Sequence, residues 1–163
     1  MADIITDGKT IVLEVPTIAD LAAPTDTELG SGVELHPIMT PDGLVGFEPE
    51  TADVDNSSLD STFDTRLAGR ASFSGTMLRL KKQDTAPDTV YDTLVRSYRT
   101  HIVVRRGIDV ETAITSTDEV EVYPVECGEV RNLPPEANTT QRYEVPVKIT
   151  SQPELRAVVA SGV

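Results

Sequence analysis

The sequence has a single cysteine, no tryptophan and few other aromatic residues. Cys127 has no second cysteine for an intrachain disulfide, a pattern typical of a reducing compartment. Three phenylalanines and four tyrosines cannot build an aromatic-rich core, so the core must come from valine, isoleucine and leucine. That composition favours thin β layers over a large enzyme core. We expect one domain, since 163 residues suffice for a single core.

Long apolar runs are also missing. None approaches the roughly 20 residues that a membrane-spanning helix needs, so we expect no membrane partner. The N-terminus has neither the basic region nor the apolar region of a secretory signal, and we expect no such signal.

Basic residues are almost absent from the first part of the chain. Residues 1–64 contain fourteen acidic residues and one basic residue, Lys9, whereas residues 65–163 contain thirteen of each sign. The whole formal net charge of −13 therefore belongs to the first segment. A surface this acidic repels nucleic acid phosphates and also repels other copies of itself.

Side chains that could carry chemistry do not form a recognisable set. His36 and His101 lie in or beside strands, away from any nucleophile motif, and Cys127 has no basic neighbour that would lower its pKa. The run Asp53–Asn56 resembles the start of a calcium loop but lacks the glycine at position 6 and the glutamate at position 12. Phosphate-binding and dinucleotide-binding glycine loops are missing. We predict no catalytic residue, no metal site and no cofactor.

Alternating apolar residues predict a chain rich in β-strands. Pro41–Gly43 is predicted to be a turn, and Leu133–Asn138 a loop. Gly75 indicates a bulge or a close backbone approach, and Pro146 an edge or a bulge. The predicted strands are Ile11–Val15, Gly32–Ile38, Arg70–Lys82, His101–Arg106, Glu119–Tyr123, Val125–Arg131 and Gln141–Ser151.

Two segments are predicted to be helical. Thr25 and Glu28 have the spacing of a capping box, which predicts a helical turn that ends at Gly30. Thr85–Thr100 is predicted to be a helix with Thr85 as its N-cap. Its apolar stripe either packs in the core or meets a neighbouring subunit, and the sequence leaves both open. The stripe consists of Val90, Tyr91, Leu94, Val95 and Tyr98.

The segment from about residue 40 to 66 is acidic and has weak periodicity, so we predict a long loop, which is either functional or disordered. The fold class that follows is α+β and β-rich. It is a single domain of two packed antiparallel sheets, sandwich-like or barrel-like. One helix flanks the sheets, and the long acidic loop leaves them.

Several stretches resemble a known family. Leu21–Thr25, Glu28-Leu29, Gly32-Val33 and Leu35 match in order and spacing, and residues 10–110 match best. Thr40–Gly43, Ser57–Leu59, Ser61–Phe63, Ala68–Arg70 and the strand–helix–strand unit of residues 71–106 continue the pattern. They resemble the major tail proteins of long-tailed, non-contractile phages, particularly those of actinobacteria.

The resemblance implies a tail tube protein. Six copies would join sheets edge to edge into a ring with a continuous β lumen, rings would stack, and DNA would leave the virion through the lumen without being bound specifically. The implied partners are further copies of the chain together with tape-measure, tail-tip and tail-terminator proteins. The implied location is the virion tail, assembled in the cytoplasm of the bacterial host.

The resemblance also implies which residues make contacts. An arm of about residues 2–10 and the long loop would join rings, and basic residues of a neighbour would meet the loop's acids. The expected inter-subunit residues are Asp3, Ile4, Ile5, Asp7, Glu48, Glu50, Asp53, Asp55, Asp60, Asp64, Lys81, Lys82, Arg105 and Arg106. Glu119 and Glu121 are expected to face the lumen.

Two other functions stay open at this point. A monomeric β-sandwich that binds or decorates a virion or cell surface would show a single monomer peak in light scattering. A hydrolase that uses two carboxylates would need apolar surroundings that raise the pKa of one of them.

Overall fold

The computed structural model describes residues 1–162. Within that range it contains eleven strands and two short helices. In chain order these are β1 (Thr10–Val15), α1 (Asp26–Gly30), β2 (Val33–Glu34), β3 (Met39–Val45), β4 (Glu50–Asp55), β5 (Arg66–Ser72), β6 (Met77–Lys81), α2 (Thr89–Thr93), β7 (Arg99–Arg106), β8 (Glu119–Cys127), β9 (Arg131–Asn132), β10 (Arg142–Ile149) and β11 (Glu154–Val158).

The main sheet is antiparallel and runs in the order β2-β1-β7-β8-β10-β6-β3, with β11 also beside β8 and β9 beside β10. Its two edge strands, β2 and β3, are joined by the four residues Leu35–Ile38. That link spans at most about 18 Å, so the sheet has to curl until its edges approach each other. The link is tied to both sides: the Leu35 N–H donates to the Val12 carbonyl at 2.8 Å, and the Lys81 N–H donates to the Ile38 carbonyl at 2.7 Å. The result is a half-barrel.

The main core fills the inside of this half-barrel. Successive side chains of a strand point to opposite faces, so every second residue of each strand points inward. Ile102 and Val104 of β7 do so, and Tyr123 meets Phe47 edge to face at a centroid distance of 5.0 Å. The other inward, buried residues are Val12, Leu35, Leu78, Leu80, Leu94, Val125, Cys127, Tyr143, Val145 and Val147.

A second, smaller core lies on the outside of β1, β7 and β8. Val103 and Val122 point outward there and are covered by Leu29 of α1 and by Ala157 of β11. The predicted capping box positions α1: the Glu28 N–H donates to Thr25 Oγ1 at 3.2 Å, and the Thr25 N–H donates to the Glu28 carboxylate at 2.9 Å. The predicted helical turn at residues 25–30 is therefore confirmed.

The β-rich class with two antiparallel sheets is confirmed, but the predicted helix Thr85–Thr100 is wrong in length. Only Thr89–Thr93 is helical, with Asp88 as its N-cap in place of Thr85. Beyond Leu94 the backbone pairs with the end of β8 instead: the Ser97 N–H donates to the Cys127 carbonyl, and the Cys127 N–H donates to the Tyr98 carbonyl, both at 2.8 Å. This tertiary pairing outweighs the local helical pattern. Of the apolar stripe, Val90, Tyr91, Leu94 and Tyr98 pack on the main core, while Val95 is exposed.

The predicted strand Arg70–Lys82 is two strands that belong to different sheets. β5 ends at Ser72 and β6 begins at Met77. Gly75 lies in the break with φ +63°, and its carbonyl oxygen is so close to Gly46 that a Cβ there would lie 2.7 Å from it. The close backbone approach expected at Gly75 is thus confirmed, and it is also what ends the strand.

The predicted long loop of residues 40–66 contains most of β3 and all of β4. Pro41–Gly43 is not a turn but part of β3, whose register against β6 shifts between Met39 and Leu44. The rest of the segment forms β4 and the tip of a hairpin with β5. A hairpin exposed on both faces has no apolar alternation, so its sequence has the composition of a loop.

The remaining strands agree with prediction except in extent. Gly32–Ile38 is a strand only at Val33–Glu34, because the next four residues form the link between the sheet edges. Residues 119–127 are one strand because Pro124, which has no N–H to donate, lies where the neighbour of β8 changes from β11 to β10. Pro146 is the last residue of β10 that pairs with β6, and the next residue pairs with β8 on the other side, so Pro146 does not lie at an edge. β11 was not predicted.

Candidate assembly surfaces

The most prominent surface is a hairpin formed by β4, β5 and the tip of residues 56–65. Its two strands pair only with each other, with Val54 opposite Leu67 and Asp55 opposite Arg66. Every residue of both strands is exposed except the half-buried Gly69. A two-stranded hairpin standing alone in water is marginally stable, so this element lacks the packing that would fix it.

The hairpin leaves the half-barrel through a glycine crossing. Gly46 has φ +74° and Gly75 has φ +63°, a conformation that residues with a Cβ rarely adopt. A Cβ on Gly46 would lie 2.7 Å from the carbonyl oxygens of Ser74 and Gly75. Only glycine at position 46 permits the two segments of the chain to pass this closely. This crossing fixes where the hairpin begins.

Both apolar and acidic side chains are exposed on the hairpin. Leu59 and Phe63 at the tip are fully and three-quarters exposed, and Val54 and Leu67 on the strands are about half exposed. The predicted contact residues Glu48, Glu50, Asp53, Asp55, Asp60 and Asp64 all lie on or beside this element and are exposed. Asp53 pairs with Arg66 at 3.2 Å. The Ser57 N–H donates to Asp55, and this hydrogen bond lowers the pKa of the Asp55 carboxyl.

The N-terminal arm is a second exposed segment. Residues 1–8 are exposed, and Ile4 and Ile5 expose about two thirds of their surface. The predicted contact residues Asp3 and Asp7 lie beside them. The arm is tied down only at its end, where the Val110 N–H donates to the Gly8 carbonyl at 3.0 Å.

The outward face of β6, β9 and β10 is a third surface, which we call the outer basic face. The pairing of β6 with β10 places Lys81 opposite Arg142, Arg79 opposite Glu144 and Met77 opposite Pro146. Its charged residues are Arg79, Lys81, Arg131, Arg142, Lys148 and Glu144.

Ion pairs fix the centre of this face. The Glu144 side chain, 9% exposed, accepts from Arg79 at 2.8 Å and from Arg131 at 2.7 Å. Arg79 also donates to Asp42 at 2.6 Å. The pKa of Asp42 is lowered mainly by the hydrogen bond from the Thr40 hydroxyl and then by that from Arg79. The hydrogen bonds to Glu144 and to Asp42 raise the pKa of Arg79. The face is therefore pre-ordered around one guanidinium.

The basic residues predicted to meet a neighbour divide into two groups. Arg105 is fully buried and bonds within its own chain, to Asp118 and to the carbonyls of Asp109, Thr112 and Ala113. Its prediction as an inter-subunit residue is therefore wrong. The dyad Arg105-Arg106 gave no sign of this difference, because the alternation that buries one arginine exposes the next.

Arg106, Lys81 and Lys82 do reach the surface. Arg106 pairs with Glu121 of the adjacent strand at 3.1 Å, not with the acidic segment. The Lys82 ammonium lies 4.1 Å from the centroid of the Tyr91 ring, a cation–π geometry. Lys81 lies on the outer basic face. Their contacts with a neighbour stay predictions.

The predicted lumen residues lie at the start of β8. Glu119 is exposed. Glu121 is half-buried, and it accepts from Arg106 and, at 2.8 Å, from the Tyr123 hydroxyl. Burial and then this bond raise the pKa of the Tyr123 phenol. The charge of Glu121 is therefore paired with Arg106 of its own chain. That Glu119 and Glu121 face a lumen stays a prediction.

A buried carboxylate, Glu14, is a feature that the sequence did not reveal. It lies on β1, 3% exposed, and accepts from the hydroxyls of Tyr98, at 3.0 Å, and Thr100. The pKa of Tyr98 is raised mainly by burial and then by its hydrogen bond to Glu14. A polar residue within the buried run Ile11–Val15 was the one available sign. The arrangement joins β1 to β7.

The candidates for chemistry are all engaged structurally. The Nδ1 atom of His36 lies 3.5 Å from the Val12 carbonyl, and that of His101 lies 3.2 Å from the Val15 carbonyl, so each ring faces a backbone carbonyl of its own chain. Cys127 is buried, and burial raises its pKa to about 11. Within residues 1–162 the structure shows no cluster of three potential metal ligands. Over the same residues, no helix has the length and apolarity to cross a membrane.

Comparison with known proteins identifies the family. The family described as phage tail tube protein matches residues 1–162. No curated protein matches the sequence. A chain of the cryo-EM structure of the anti-feeding prophage (AFP) baseplate, 6-fold symmetrised, superimposes with a TM-score of 0.62 at 8% identity, covering 96% of this chain and 98% of that one. The crystal structure of an Hcp protein aligns with a TM-score of 0.36 at 12% identity, covering 86% of this chain and 87% of that one. The chain belongs to the phage tail tube protein family, whose members are structural components of the virion tail and not enzymes.

Proposed function

We propose that this chain is the repeating subunit of a tail tube through which DNA leaves the virion. Copies join through sheet edges into rings of six, the number that the sequence resemblance implies. The rings stack through the hairpin and the N-terminal arm. Such head-to-tail contacts generate closed rings or open filaments from one kind of subunit.

The observation that carries this proposal is the unsupported hairpin. An element that exposes both faces, with Leu59 and Phe63 uncovered at its tip, is poorly stabilised by its own chain. A large exposed apolar patch marks an interaction surface, and contact with another subunit would bury these side chains. The exposed Ile4 and Ile5 of the arm support the same conclusion for a second contact.

The charge of the chain suits a conduit that does not hold DNA. A net charge of −13 gives no general attraction to phosphates. Repulsion is screened over about 8 Å at physiological salt, so it acts only near the wall of a channel. Glu119 is the exposed carboxylate that we propose for the lumen.

The finer details follow from the sequence resemblance. We propose that the tail belongs to a long-tailed, non-contractile phage of the actinobacterial type and is assembled in the cytoplasm of the host. Tape-measure, tail-tip and tail-terminator proteins are the partners that it implies.

Negative-stain electron microscopy of the purified protein over a concentration series tests the proposal. We expect tubes or stacked rings for the natural chain and their loss in Phe63→Ser, which removes the aromatic ring at the hairpin tip. Val95→Ser, at an apolar residue that is exposed outside the hairpin and arm, is the matched control and should still assemble. Both variants should keep the unfolding temperature of the natural chain, because neither residue is in the core.

A chain that stays monomeric under all conditions, including with tail-tip and tape-measure proteins present, would contradict the proposal. A sharp monomer peak in light scattering would then favour the decoration module.

A further inference from the structure

We infer that the outer basic face of β6, β9 and β10 is the docking site for the hairpin tip of a second copy. The inference rests on the proposed function in one respect: it requires that copies of this chain associate. It adds which surface receives the hairpin and which charges select it.

Charge is distributed unevenly on this face. In a chain of net charge −13, the three strands of the face carry five basic side chains and one acidic one, at positions Arg79, Lys81, Arg131, Arg142, Lys148 and Glu144. Three further acids border it: Asp42 pairs with Arg79, Glu136 pairs with Arg142, and Glu126 stands opposite Lys148. Lys81 stands directly opposite Arg142, and like charges in that position repel each other. An acidic group from outside would relieve this repulsion.

Two of the basic residues are not neutralised by the chain itself. Glu144 pairs with Arg79 and Arg131, and Glu136 pairs with Arg142. Lys81 and Lys148 form no ion pair within residues 1–162. They lie near the two ends of β10, separated by about 20 Å at the usual rise of a strand.

The hairpin tip offers the complementary groups. Among residues 1–162, Asp60 and Asp64 also form no ion pair and are exposed, with Leu59 and Phe63 uncovered next to them. Within residues 1–162, the tip therefore carries free acidic groups and the face carries free basic groups.

An apolar patch lies beside the ion-paired centre of the face. Met77 and Pro146 lie opposite each other there, both half-buried, between the basic ends. Phe63 flanked by carboxylates fits an apolar patch flanked by lysines. The same face could instead attract nucleic acid phosphates, but those supply no group for the Met77–Pro146 patch, so the observations favour the hairpin.

Charge exchange tests the inference in the full-length chain. Lys81→Glu with Lys148→Glu should raise the protein concentration needed for assembly about tenfold, since two attractive contacts become repulsive. Arg96→Glu with Arg156→Glu is the matched control: it changes net charge equally, at exposed residues outside the face, and should have a smaller effect. Adding Asp60→Lys with Asp64→Lys to the first variant should restore assembly.

Sedimentation gives the assembly threshold, and thermal unfolding confirms that each variant is folded. If the natural chain assembles and the Lys81/Lys148 variant assembles equally well, or if the exchange does not restore assembly, this inference is overturned while the proposed function stands. A natural chain that never assembles overturns both. Fluorescence anisotropy with a short DNA duplex covers the other occupant: binding that requires Lys81 and Lys148 would assign the face to nucleic acid.

Discussion

Replacing Arg105 by methionine should destabilise the chain more than any change at a neighbouring charged residue. The Arg105 side chain is 0% exposed, and its guanidinium donates to the Asp109 and Thr112 carbonyls at 3.0 and 2.6 Å and to Asp118 at 3.2 Å. Methionine fills much of the same space but donates nothing. The carbonyls of the 109–118 segment and a carboxylate that is 16% exposed would then lose their partner.

Removing one partner of a buried ion pair costs about 3–5 kcal/mol. That is a large share of the roughly 5–15 kcal/mol that stabilises a typical protein. At about 2–4 °C per kcal/mol for a chain of this size, the unfolding temperature should fall by about 10 °C. The control is Arg106→Met, because Arg106 is half exposed and its pair with Glu121 is worth at most about 1 kcal/mol.

Urea unfolding followed by circular dichroism measures both variants. A double-mutant cycle with Asp118→Asn isolates the ion pair, and adding Asp118→Asn to the methionine variant should restore part of the loss. Equal stability losses in Arg105→Met and Arg106→Met would refute the reasoning that burial makes the difference.

Three further predictions concern single positions. Gly46→Ala should cost about 2–3 kcal/mol more than Gly8→Ala in urea unfolding, because both glycines have positive φ but only at Gly46 would the Cβ meet backbone; equal losses would refute the clash. Glu28→Gln should cost about 1 kcal/mol at pH 7. The pKa of Glu28 is lowered below its ordinary 4.5, mainly by the hydrogen bond from the Thr25 N–H and then by that from the Ala19 N–H. The ionised carboxylate therefore stabilises the fold above pH 4.5, and its advantage over glutamine disappears as the pH falls through the lowered pKa. A difference in thermal unfolding that does not depend on pH would contradict this. The Cys127 thiol, whose pKa is raised to about 11, should react with a thiol reagent at pH 8 only after urea unfolds the chain, and fast labelling of the folded chain would show that it is accessible.

The central strands of the half-barrel were predictable from the sequence because each of β1, β7, β8 and β10 buries at least one face. That burial is visible in the sequence as the apolar run Ile11–Val15 and as the alternation from Val145 to Ile149. The capping box of Thr25 and Glu28 was equally visible, because its pattern is local and depends on two residues at a fixed spacing.

The errors arose where long-range pairing decides the structure. Residues 85–100 have a helical stripe, but the end of β8 captures the backbone at Ser97 and Tyr98. The hairpin has no buried face, so it carries no periodicity by which strands are predicted. The predicted contact acids do lie exposed on or beside this element, and their contacts with a neighbour stay predictions. Arg105 was assigned incorrectly, because composition cannot tell a buried arginine from an exposed one.

The order of strands in the main sheet has a consequence for synthesis. Its edges come from early parts of the chain, β2 and β3, whereas its centre consists of β7, β8 and β10, which come from the second half of the chain. β1 cannot be paired along its length until Arg99–Arg106 has emerged. A chain that stops before Arg142 therefore lacks β10 and cannot close the half-barrel, although the arm and the hairpin are already present. The non-local pairing of this sheet thus delays its folding until most of the polypeptide has been made.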